Sequence, residues 1–361
     1  MSEKKPLVYL NTAACGLIPE SIMQAGFSWY SSFTSNGSTS SERWRNELQA
    51  SIKADAAALL NTDPKNVALI PNFSFAMNAV VQSLKGNEKV LLYRKDYPSL
   101  YIPFVINNFD ITWIDDEDGF FIDQDKISTI IKEKKINIVA ISHVQYQSGF
   151  KANLAQLGNI CRDNNAVFIV DATQSLGAME TNMSALPVDV LIASNYKWMN
   201  AGYGNGLLYM NESFLQTHPP KISGNNSQTF LFTDDGYIND VSINNYEPGS
   251  LDMFGFMIMQ ASLAEKNKTG IPQIAQHNFG LAQKLLSGLA SLPVRVIGGQ
   301  TLENRSSIIV VEEPGGLHTW LSQNNIITTL RNGLIRISAH YYNTEDDITA
   351  ILHCISDWSK Q

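Results

Sequence analysis

Two ionisable side chains, Asp171 and Lys197, lie shortly after apolar segments. They could react with an aldehyde or an amine. Asp171 follows the run 167–170, and Lys197 follows the run 188–193 after three polar residues. A carboxylate at the end of a buried strand needs a cationic partner, and the protonated nitrogen of an aromatic ring would serve. A lysine whose pKa is lowered by desolvation and by nearby cations can form a Schiff base and later transfer protons. Taken singly, Asp171 would more often cap a helix and Lys197 would more often be an ordinary solvated lysine.

The residues around the lysine favour a site for an anion such as a phosphate. Ser194 and Tyr196 place two hydroxyl donors close to it in the sequence. The glycine-rich segment 202–206 permits a sharp turn and a close backbone approach. Upstream, Ser74 is predicted to be the N-cap of a helix at 74–85, where the helix dipole and free N–H groups favour an anion. The spacing alone leaves Ser74 open between a plain cap and a phosphate ligand.

Several other chemistries find no support in the sequence. The GxGxG segment at 202–206 is not followed by the pattern of a dinucleotide-binding helix, and neither GxxxxGK[ST] nor GxSxG occurs. The three cysteines, Cys15, Cys161 and Cys354, form no zinc-binding pattern, so we expect no metal. The formal charge of −8 argues against nucleic acids and anionic membranes as partners. Without a signal peptide or an apolar run of about 18 residues, a cytoplasmic location is expected.

The candidate residues need elements that bring them to one edge, and the middle of the chain has such a pattern. Apolar runs that predict buried parallel strands occur at 89–93, 111–114, 137–141, 167–170 and 188–193. Helix-like segments such as 153–163 separate them, which indicates an α/β layer fold. The run 207–210 predicts one more strand, whose direction is left open. Ligands of open α/β sheets bind beyond the carboxyl ends of the strands, where the polar residues described above are placed.

The pattern changes toward the carboxyl terminus, where we expect a smaller α+β domain. Helices are predicted at 20–33, at 42–60, at 256–290 with an interruption near Gly270–Pro272, and at 345–359. Short strands are predicted at 294–298, 306–311, 326–330 and 334–338. Thr344 and Asp347 fit a capping box at the start of the last helix.

Four segments together resemble the class V aminotransferase family, whose members use pyridoxal 5′-phosphate (PLP). They are YLNTAACGLIP at 9–19, DATQSLGA at 171–178, SNYKWMNAGYGNG at 194–206 and RISAHYYNTEDDI at 336–348. The family includes cysteine desulfurases, selenocysteine lyases, kynureninases and isopenicillin-N epimerase-like proteins. The resemblance implies the PLP-dependent transferase fold of type I, with a large, mostly parallel α/β/α domain at 16–255 and a smaller α+β domain made of 1–15 and 256–361. It also implies PLP as the cofactor and a homodimer with shared active sites.

The resemblance implies roles for residues that would bind the cofactor ring. Lys197 matches the lysine that forms the Schiff base and is the predicted catalytic residue. Asp171 matches the partner of the ring nitrogen, and Gln174 matches the group that hydrogen-bonds the ring hydroxyl. Tyr97 matches the position whose side chain stacks on the ring, where offset aromatic packing is favourable. These four residues are expected to fix the plane and the charge of the ring.

Further matches concern the phosphate and the substrate. Ser74, Ser194 and Tyr196 match hydroxyl groups that bind the phosphate. Ser250, in EPGS, matches a residue that reaches the phosphate of the other subunit. Arg336, in LIRIS, matches the arginine that binds the substrate α-carboxylate, a role that suits a planar guanidinium with paired donors. An amino acid substrate is therefore expected.

The sequence departs from the family at positions that bear on the reaction. Cysteine desulfurases carry a nucleophilic cysteine on a loop shortly before the arginine, but residues 299–335 contain no cysteine. Tyr146 occupies a position that is often Asn, and Phe73 occupies one that often bears a hydroxyl. A desulfurase mechanism is therefore disfavoured, and a minor route through Cys15 is left open.

The resemblance leaves the reaction open between transamination, elimination and epimerisation, because the protein selects the bond to Cα that is broken by orienting it to the ring. We favour an aminotransferase. The alternative is a lyase similar to kynureninase, selenocysteine lyase or cysteine desulfurase, and an epimerase is less favoured. Two hypotheses come from other classes. A PLP-binding regulatory protein lacks support because the sequence shows no DNA-binding domain, and the misplaced GxGxG segment disfavours a nicotinamide-dependent oxidoreductase.

Overall fold

A seven-stranded sheet forms the centre of the computed structural model, which describes residues 6–227, 230–234, 236–299, 301, 302 and 304–361. The described strands are β1 (Val8–Tyr9), β2 (Val67–Ile70), β3 (Lys89–Tyr93), β4 (Asp110–Ile114), β5 (Ile138–Ser142), β6 (Val167–Asp171), β7 (Val190–Ser194), β8 (Gly206–Met210), β9 (Phe230–Thr233), β10 (Gly236–Asn239), β11 (Ile308–Glu312), β12 (Ile326–Ile327), β13 (Thr329–Arg331) and β14 (Leu334–Ser338). The order across the central sheet is β2-β8-β7-β6-β5-β3-β4. Strand β8 runs antiparallel to β2 and β7, whereas the other neighbouring pairs are parallel.

Helices cover both faces of this sheet and continue into the carboxyl-terminal part of the chain. The described helices are α1 (Glu20–Asn36), α2 (Ser38–Arg43), α3 (Gln49–Leu60), α4 (Phe73–Ser83), α5 (Pro98–Ile106), α6 (Gln124–Lys134), α7 (Leu154–Asp163), α8 (Glu212–Thr217), α9 (Met253–Thr269), α10 (Ile271–Leu289), α11 (Leu317–Gln323) and α12 (Glu345–Trp358). None of the helices in this described part of the chain is long and apolar enough to span a membrane.

Successive residues of each inner strand enter two different hydrophobic cores, which explains why the strands are apolar at every position. Leu91 and Val139 lie in one core, together with side chains of α3, α7 and α9. Their neighbours Leu92 and Ala140 lie in the other core, together with side chains of α4 and α5. Because helices cover both faces, an alternating polar pattern would leave polar groups buried. The predicted α/β fold with a mostly parallel central sheet is confirmed.

The predicted strands of the middle segment are confirmed within one or two residues, and β8 proves to be antiparallel. Strand β2 and helices α5 and α6 were not predicted. The strand predicted at 294–298 is wrong, because that segment forms a single bridge between Val296 and Val311. Gly298 and Gly299 follow at φ values of 78° and 76°, which a continuing strand does not adopt.

Helix α4 begins one residue earlier than predicted, and Ser74 is not its N-cap. The cap is Asn72, whose Oδ1 accepts the N–H of Phe75 at 2.9 Å. Asn and Ser are both good capping residues, so spacing did not decide between them. The capping box at Thr344 and Asp347 is confirmed, since each side chain accepts the backbone N–H of the other.

The amino-terminal arm, residues 6–19 before α1, packs against the carboxyl-terminal part of the chain. Strand β1 pairs with β12, and β11, β14 and β13 form a separate antiparallel sheet. Leu10 shares a hydrophobic core with α10, α12 and these strands. Helix α9, in contrast, buries Phe256 and Met259 in a core of the large sheet. The predicted division of the domains at residue 255 stays a prediction. Residues 1–5, which were assigned to the smaller domain, lie outside the described residues.

Candidate active site

Lys197 follows β7 and is only 6% exposed. Its Nζ lies 5.3 Å from the ring centroid of Tyr196 and 5.6 Å from that of Tyr97. Within the described part of the chain no hydrogen bond occupies the amine. Burial lowers the pKa of Lys197 well below its usual range, and the nearby charges of Arg336 and Arg331 add to the lowering, while Asp171 opposes it. The amine is therefore poised to react as a nucleophile.

Asp171 is the last residue of β6, and its side chain is buried. One carboxylate oxygen accepts the N–H of Thr173 at 2.8 Å. Burial raises the pKa of Asp171, and the charge of Lys197 partly lowers it again. The adjacent strands β6 and β7 thus lead into a buried acid, Asp171, and a buried base, Lys197, which interact electrostatically.

A second buried carboxylate, Asp96, organises the neighbouring strand end. It accepts the N–H of Tyr97 at 2.7 Å and the N–H of Ser142 at 2.9 Å, and the amide of Gln145 donates to it at 3.2 Å. Burial raises its pKa, and its charge in turn raises that of Asp171. Asp96 therefore fixes the start of α5, and with it Tyr97, to the end of β5. The signal for this role was an aspartate shortly after the apolar run 89–93.

Tyr146 contacts both Tyr97, which is predicted to stack on the cofactor ring, and Arg336, which is predicted to bind the carboxylate. The rings of Tyr97 and Tyr146 pack edge to face with centroids 5.3 Å apart. The carbonyl oxygen of Tyr146 accepts Nη1 of Arg336 at 2.6 Å. Arg336 is 5% exposed, burial lowers its pKa to about 10, and its buried Nε has no hydrogen-bond partner among the described residues. The structure thus brings Arg336, from the carboxyl-terminal sheet, to the site on the central sheet.

Two of the predicted phosphate ligands, Ser74 and Ser194, lie at the start of α4. The N–H of Phe73 donates to Oγ of Ser194 at 2.8 Å, and Oγ of Ser74 donates to Oγ of Ser99 at 2.9 Å. The ring of Tyr196 stacks on Tyr203 with centroids 4.5 Å apart. Hydroxyl groups at the amino terminus of a helix provide donors and a favourable dipole for an anion.

Gln174 and Ser250 are the other two predicted ligands of the cofactor. Both ends of the Gln174 carboxamide are used within the chain, since Nε2 donates to Ala13 O at 2.9 Å and Oε1 accepts Trp198 Nε1 at 2.8 Å. The second hydrogen of Nε2 remains for a ligand. Ser250 is exposed on the segment before α9, and no hydrogen bond among the described residues joins it to the other predicted site residues. Both roles stay predictions.

The amino-terminal arm contributes a part of the site that the sequence did not assign. The N–H of Gly16 donates to Tyr196 O at 2.9 Å, and a Cβ at this position would lie 2.0 Å from Lys197 O. Cys15 is half-buried, its Sγ donates to Gly16 O at 3.6 Å, and it lies near Lys197 and Tyr203. Cys161 and Cys354 are buried. Cys15 is thus the thiol closest to the predicted chemistry.

Comparison with known proteins follows this geometry. The family model described as "Aminotransferase class-V" matches residues 8–351. The chain belongs to this family. A probable cysteine desulfurase of Methanothermobacter thermautotrophicus is 22% identical, with 94% of this chain and 92% of that protein aligned. An uncharacterized aminotransferase of Bacillus subtilis, YcbU, is also 22% identical, with 92% and 89% aligned.

Solved structures share the fold. The apo cysteine desulfurase of Thermococcus onnurineus NA1 has a TM-score of 0.87 at 22% identity, covering 98% of this chain and 95% of its own. The cystine C–S lyase C-DES, in complex with its reaction product cysteine persulfide, has a TM-score of 0.85 at 20% identity, covering 97% of each chain. The resemblance stated from the sequence is confirmed, including the PLP-dependent transferase fold.

PLP is the cofactor of this class V chain, and its residues fit that group. The buried amine of Lys197, unoccupied by any hydrogen bond in the described part of the chain, suits a covalent bond to the aldehyde. The buried carboxylate of Asp171 suits a protonated ring nitrogen, and the hydroxyls at the start of α4 suit the phosphate. In the described residues no group of three or more His, Cys, Asp or Glu side chains could hold a metal ion.

Proposed function

We propose that this chain is a PLP-dependent lyase that breaks the bond between the β-carbon and sulfur of an α-amino acid such as cystine. Similar proteins support this choice, since they include probable cysteine desulfurases and a cystine C–S lyase. The observation that carries the proposal is the placement of the cysteines. Residues 299–335, before Arg336, contain none, so the thiol that takes up sulfur in desulfurases is missing from that loop. A lyase needs no such thiol.

In this reaction Lys197 would take up a proton, and Asp171 would hold a proton on the ring nitrogen. The buried amine of Lys197 has a lowered pKa, so it can take the α-proton near neutral pH. Bound PLP supplies an electron sink for the electrons left at Cα. Asp171 would keep the ring nitrogen protonated, and Arg336 would hold the α-carboxylate through its unpaired Nε.

The proposed reaction balances without an oxidant or a reductant. Lys197 takes the α-proton, and the Cβ–S bond breaks with its electron pair leaving on sulfur. From cystine the departing group is cysteine persulfide, which matches the product named for C-DES. Water converts the remaining three-carbon fragment to pyruvate and ammonia.

Product analysis with purified protein, PLP and cystine tests this function. We expect pyruvate and cysteine persulfide in equal amounts, no alanine, and full activity in Cys15→Ser. Lys197→Ala should form no product, and borohydride should no longer attach PLP to the protein at residue 197. Alanine as the product, together with a persulfide on Cys15 detected by mass spectrometry, would establish a desulfurase instead.

An aminotransferase is the second candidate, as the sequence favoured. The family description and the name of the relative YcbU support it. Incubation with single amino acids in the absence of a keto acid distinguishes the two reactions. A transaminase releases one equivalent of keto acid and leaves the cofactor in its amine form, whereas a lyase turns over repeatedly with the cofactor unchanged.

We also propose a homodimer with shared active sites. The exposed position of Ser250 and the 67% exposed side chain of Tyr203, which stacks on Tyr196, are compatible with a second subunit that completes the phosphate site. Light scattering should give twice the mass of one chain. In mixtures of Ser250→Ala with Lys197→Ala, subunit exchange should restore one site with both native residues; activity that equals the sum of the two variants would contradict sharing.

A further inference from the structure

A fully buried lysine, Lys266, lies behind the segment that carries Lys197. It belongs to the last turn of α9 and is 0% exposed. Its Nζ donates to Oδ1 of Asn200 at 2.9 Å and lies 3.6 Å above the ring centroid of Tyr341. In the described part of the chain it forms no ion pair, and the carboxylate of Glu265, the preceding residue, accepts the hydroxyl of Tyr341 at 2.6 Å. An amine is therefore buried against an amide and an aromatic ring.

Asn200 is the point at which three parts of the chain meet. Its Oδ1 accepts both Lys266 and Nε2 of His340, the latter at 3.0 Å, and its Nδ2 donates to Leu17 O at 2.8 Å. Its own N–H donates to Lys197 O at 3.1 Å. Asn200 is completely buried, with φ at 58°, a conformation that glycine and asparagine adopt most easily. The arm, helix α9 and the carboxyl-terminal part thus all contact the residue three positions after Lys197.

The hydrogen bonds of His340 define its tautomer. Nε2 lies 2.8 Å from Trp198 O and 3.0 Å from Asn200 Oδ1, both acceptors, and 3.5 Å from Lys266 Nζ, so the two shorter contacts place the proton on Nε2. Nδ1 accepts the amide of Asn278 at 3.2 Å. Burial, together with the charge of Lys266, lowers the pKa of His340 far below its usual value, so the ring stays neutral. Of the two ionisable side chains that contact Asn200 in the described part of the chain, only Lys266 takes up a proton as the pH falls to about 7.

Stability does not explain a lysine at this position. Burying an ammonium without a carboxylate is costly, and an apolar side chain of similar size would pack in the same space at lower cost. What the lysine adds is a donor from helix α9 to Asn200 Oδ1, a buried hydrogen bond that an apolar side chain cannot form. A second contact from the same helix, from Ser262 Oγ to Met199 O, also fastens this segment.

We propose that Lys266 is a positioning residue: through Asn200, it fixes the segment that carries Lys197 against the amino-terminal arm. The arm covers Lys197 from the side of Gly16, whose N–H donates to Tyr196 O. Loss of the Lys266 amine removes a donor from Asn200 Oδ1 and loosens both Leu17 and the backbone at Lys197. The amine of Lys197 is then presented less uniquely to the cofactor. This role holds for any reaction of the class V site.

Hydrogen exchange of the full-length protein, with PLP removed and with PLP bound, tests the proposal. The variants are Lys266→Met, which keeps length without charge, and Asn200→Gly, which keeps the backbone conformation without the amide. Peptides covering residues 10–18 and 196–202 should exchange about tenfold faster in both variants, since a buried hydrogen bond is lost. In the double variant the increase should be no larger than in either single one. Lys268→Met, an exposed position on the same helix, is the matched control and should leave exchange unchanged.

A spectroscopic readout separates positioning from plain packing. The visible absorbance of PLP bound to Lys197 titrates with pH, and its midpoint should move in Lys266→Met and not in Lys268→Met. A packing role alone predicts the opposite combination: lower global stability with an unchanged midpoint and unchanged local exchange. That combination, or additive effects of Lys266→Met and Asn200→Gly, would overturn the proposal. If Lys266→Met fails to fold, Asn200→Gly with the same two readouts decides.

Discussion

The buried ammonium of Lys266 should make the free energy of unfolding depend on pH. Burial lowers the pKa of Lys266 from 10.5 to about 7, and Glu265 only partly opposes this. Between these two pH values the unfolded chain holds a proton that the folded chain lacks, so the free energy of unfolding rises with pH by about 1.4 kcal/mol per unit. Stability is therefore greatest above pH 10.5 and is lost as the pH falls to about 7, a total of about 5 kcal/mol.

The substitution Lys266→Met removes this dependence, because methionine fills similar space and takes up no proton. At pH 7 the variant should be more stable than the parent protein by a few kcal/mol, and the difference should shrink by about 1.4 kcal/mol per unit as the pH rises. Urea unfolding of both proteins, freed of PLP, at about pH 7, 8 and 9 measures this. Taking the difference cancels every other group that titrates in both. A variant that is less stable at pH 7, or a difference that stays constant with pH, would refute the reasoning.

Four further substitutions test the site and the helix start beside it. Arg336→Gln should raise KM for α-amino acids by about 10- to 100-fold with a smaller effect on kcat, because a charged contact to the carboxylate is lost; steady-state kinetics with an unchanged KM would remove Arg336 from the substrate site. Asn72→Ala should lower the free energy of unfolding by about 1 kcal/mol through loss of the cap, whereas Ser74→Ala should leave stability within about 0.5 kcal/mol and weaken PLP binding in fluorescence titrations. Gly16→Ala should cost about 1–3 kcal/mol and reduce the borohydride-fixed PLP detected by mass spectrometry, because its Cβ would collide with Lys197 O; unchanged stability and PLP incorporation would contradict that close contact.

The placement of Asp171 and Lys197 at one edge of the central sheet was predictable, because it depends on which residues follow each strand in the sequence. Asp171 and Lys197 each follow a continuous apolar strand, and parallel neighbouring strands bring their carboxyl ends to one edge of the sheet. The resemblance added Tyr97 and Arg336, which periodicity could not have placed together. Their meeting through Tyr146 spans the central sheet and the carboxyl-terminal sheet, and no local pattern encodes such a contact.

The features that sequence reasoning missed are decided by long-range packing. A lysine in the last turn of a helix is expected to be solvated near the carboxyl-terminal end of the dipole. Lys266 is buried because segments near residues 200 and 340 pack over it. Similarly, Asn72 and Ser74 are both good capping residues, and only the structure shows that Asn72 accepts the N–H of Phe75 while the N–H of Phe73 donates to Ser194.

The charge around Lys197 links its reactivity to the ligands it would receive. The chain carries a net charge of −8. Two arginines nevertheless lie near Lys197, and the charges of Arg336 and Arg331 lower its pKa in addition to the larger effect of burial. The same two cations favour the phosphate and the carboxylate that a PLP enzyme must bind. Binding of these anions offsets the cations, so it should raise the pKa of the Lys197 amine. The amine would therefore be most nucleophilic before the phosphate and the carboxylate bind and most readily protonated once both are in place, which suits the proposed role of Lys197 in holding the α-proton.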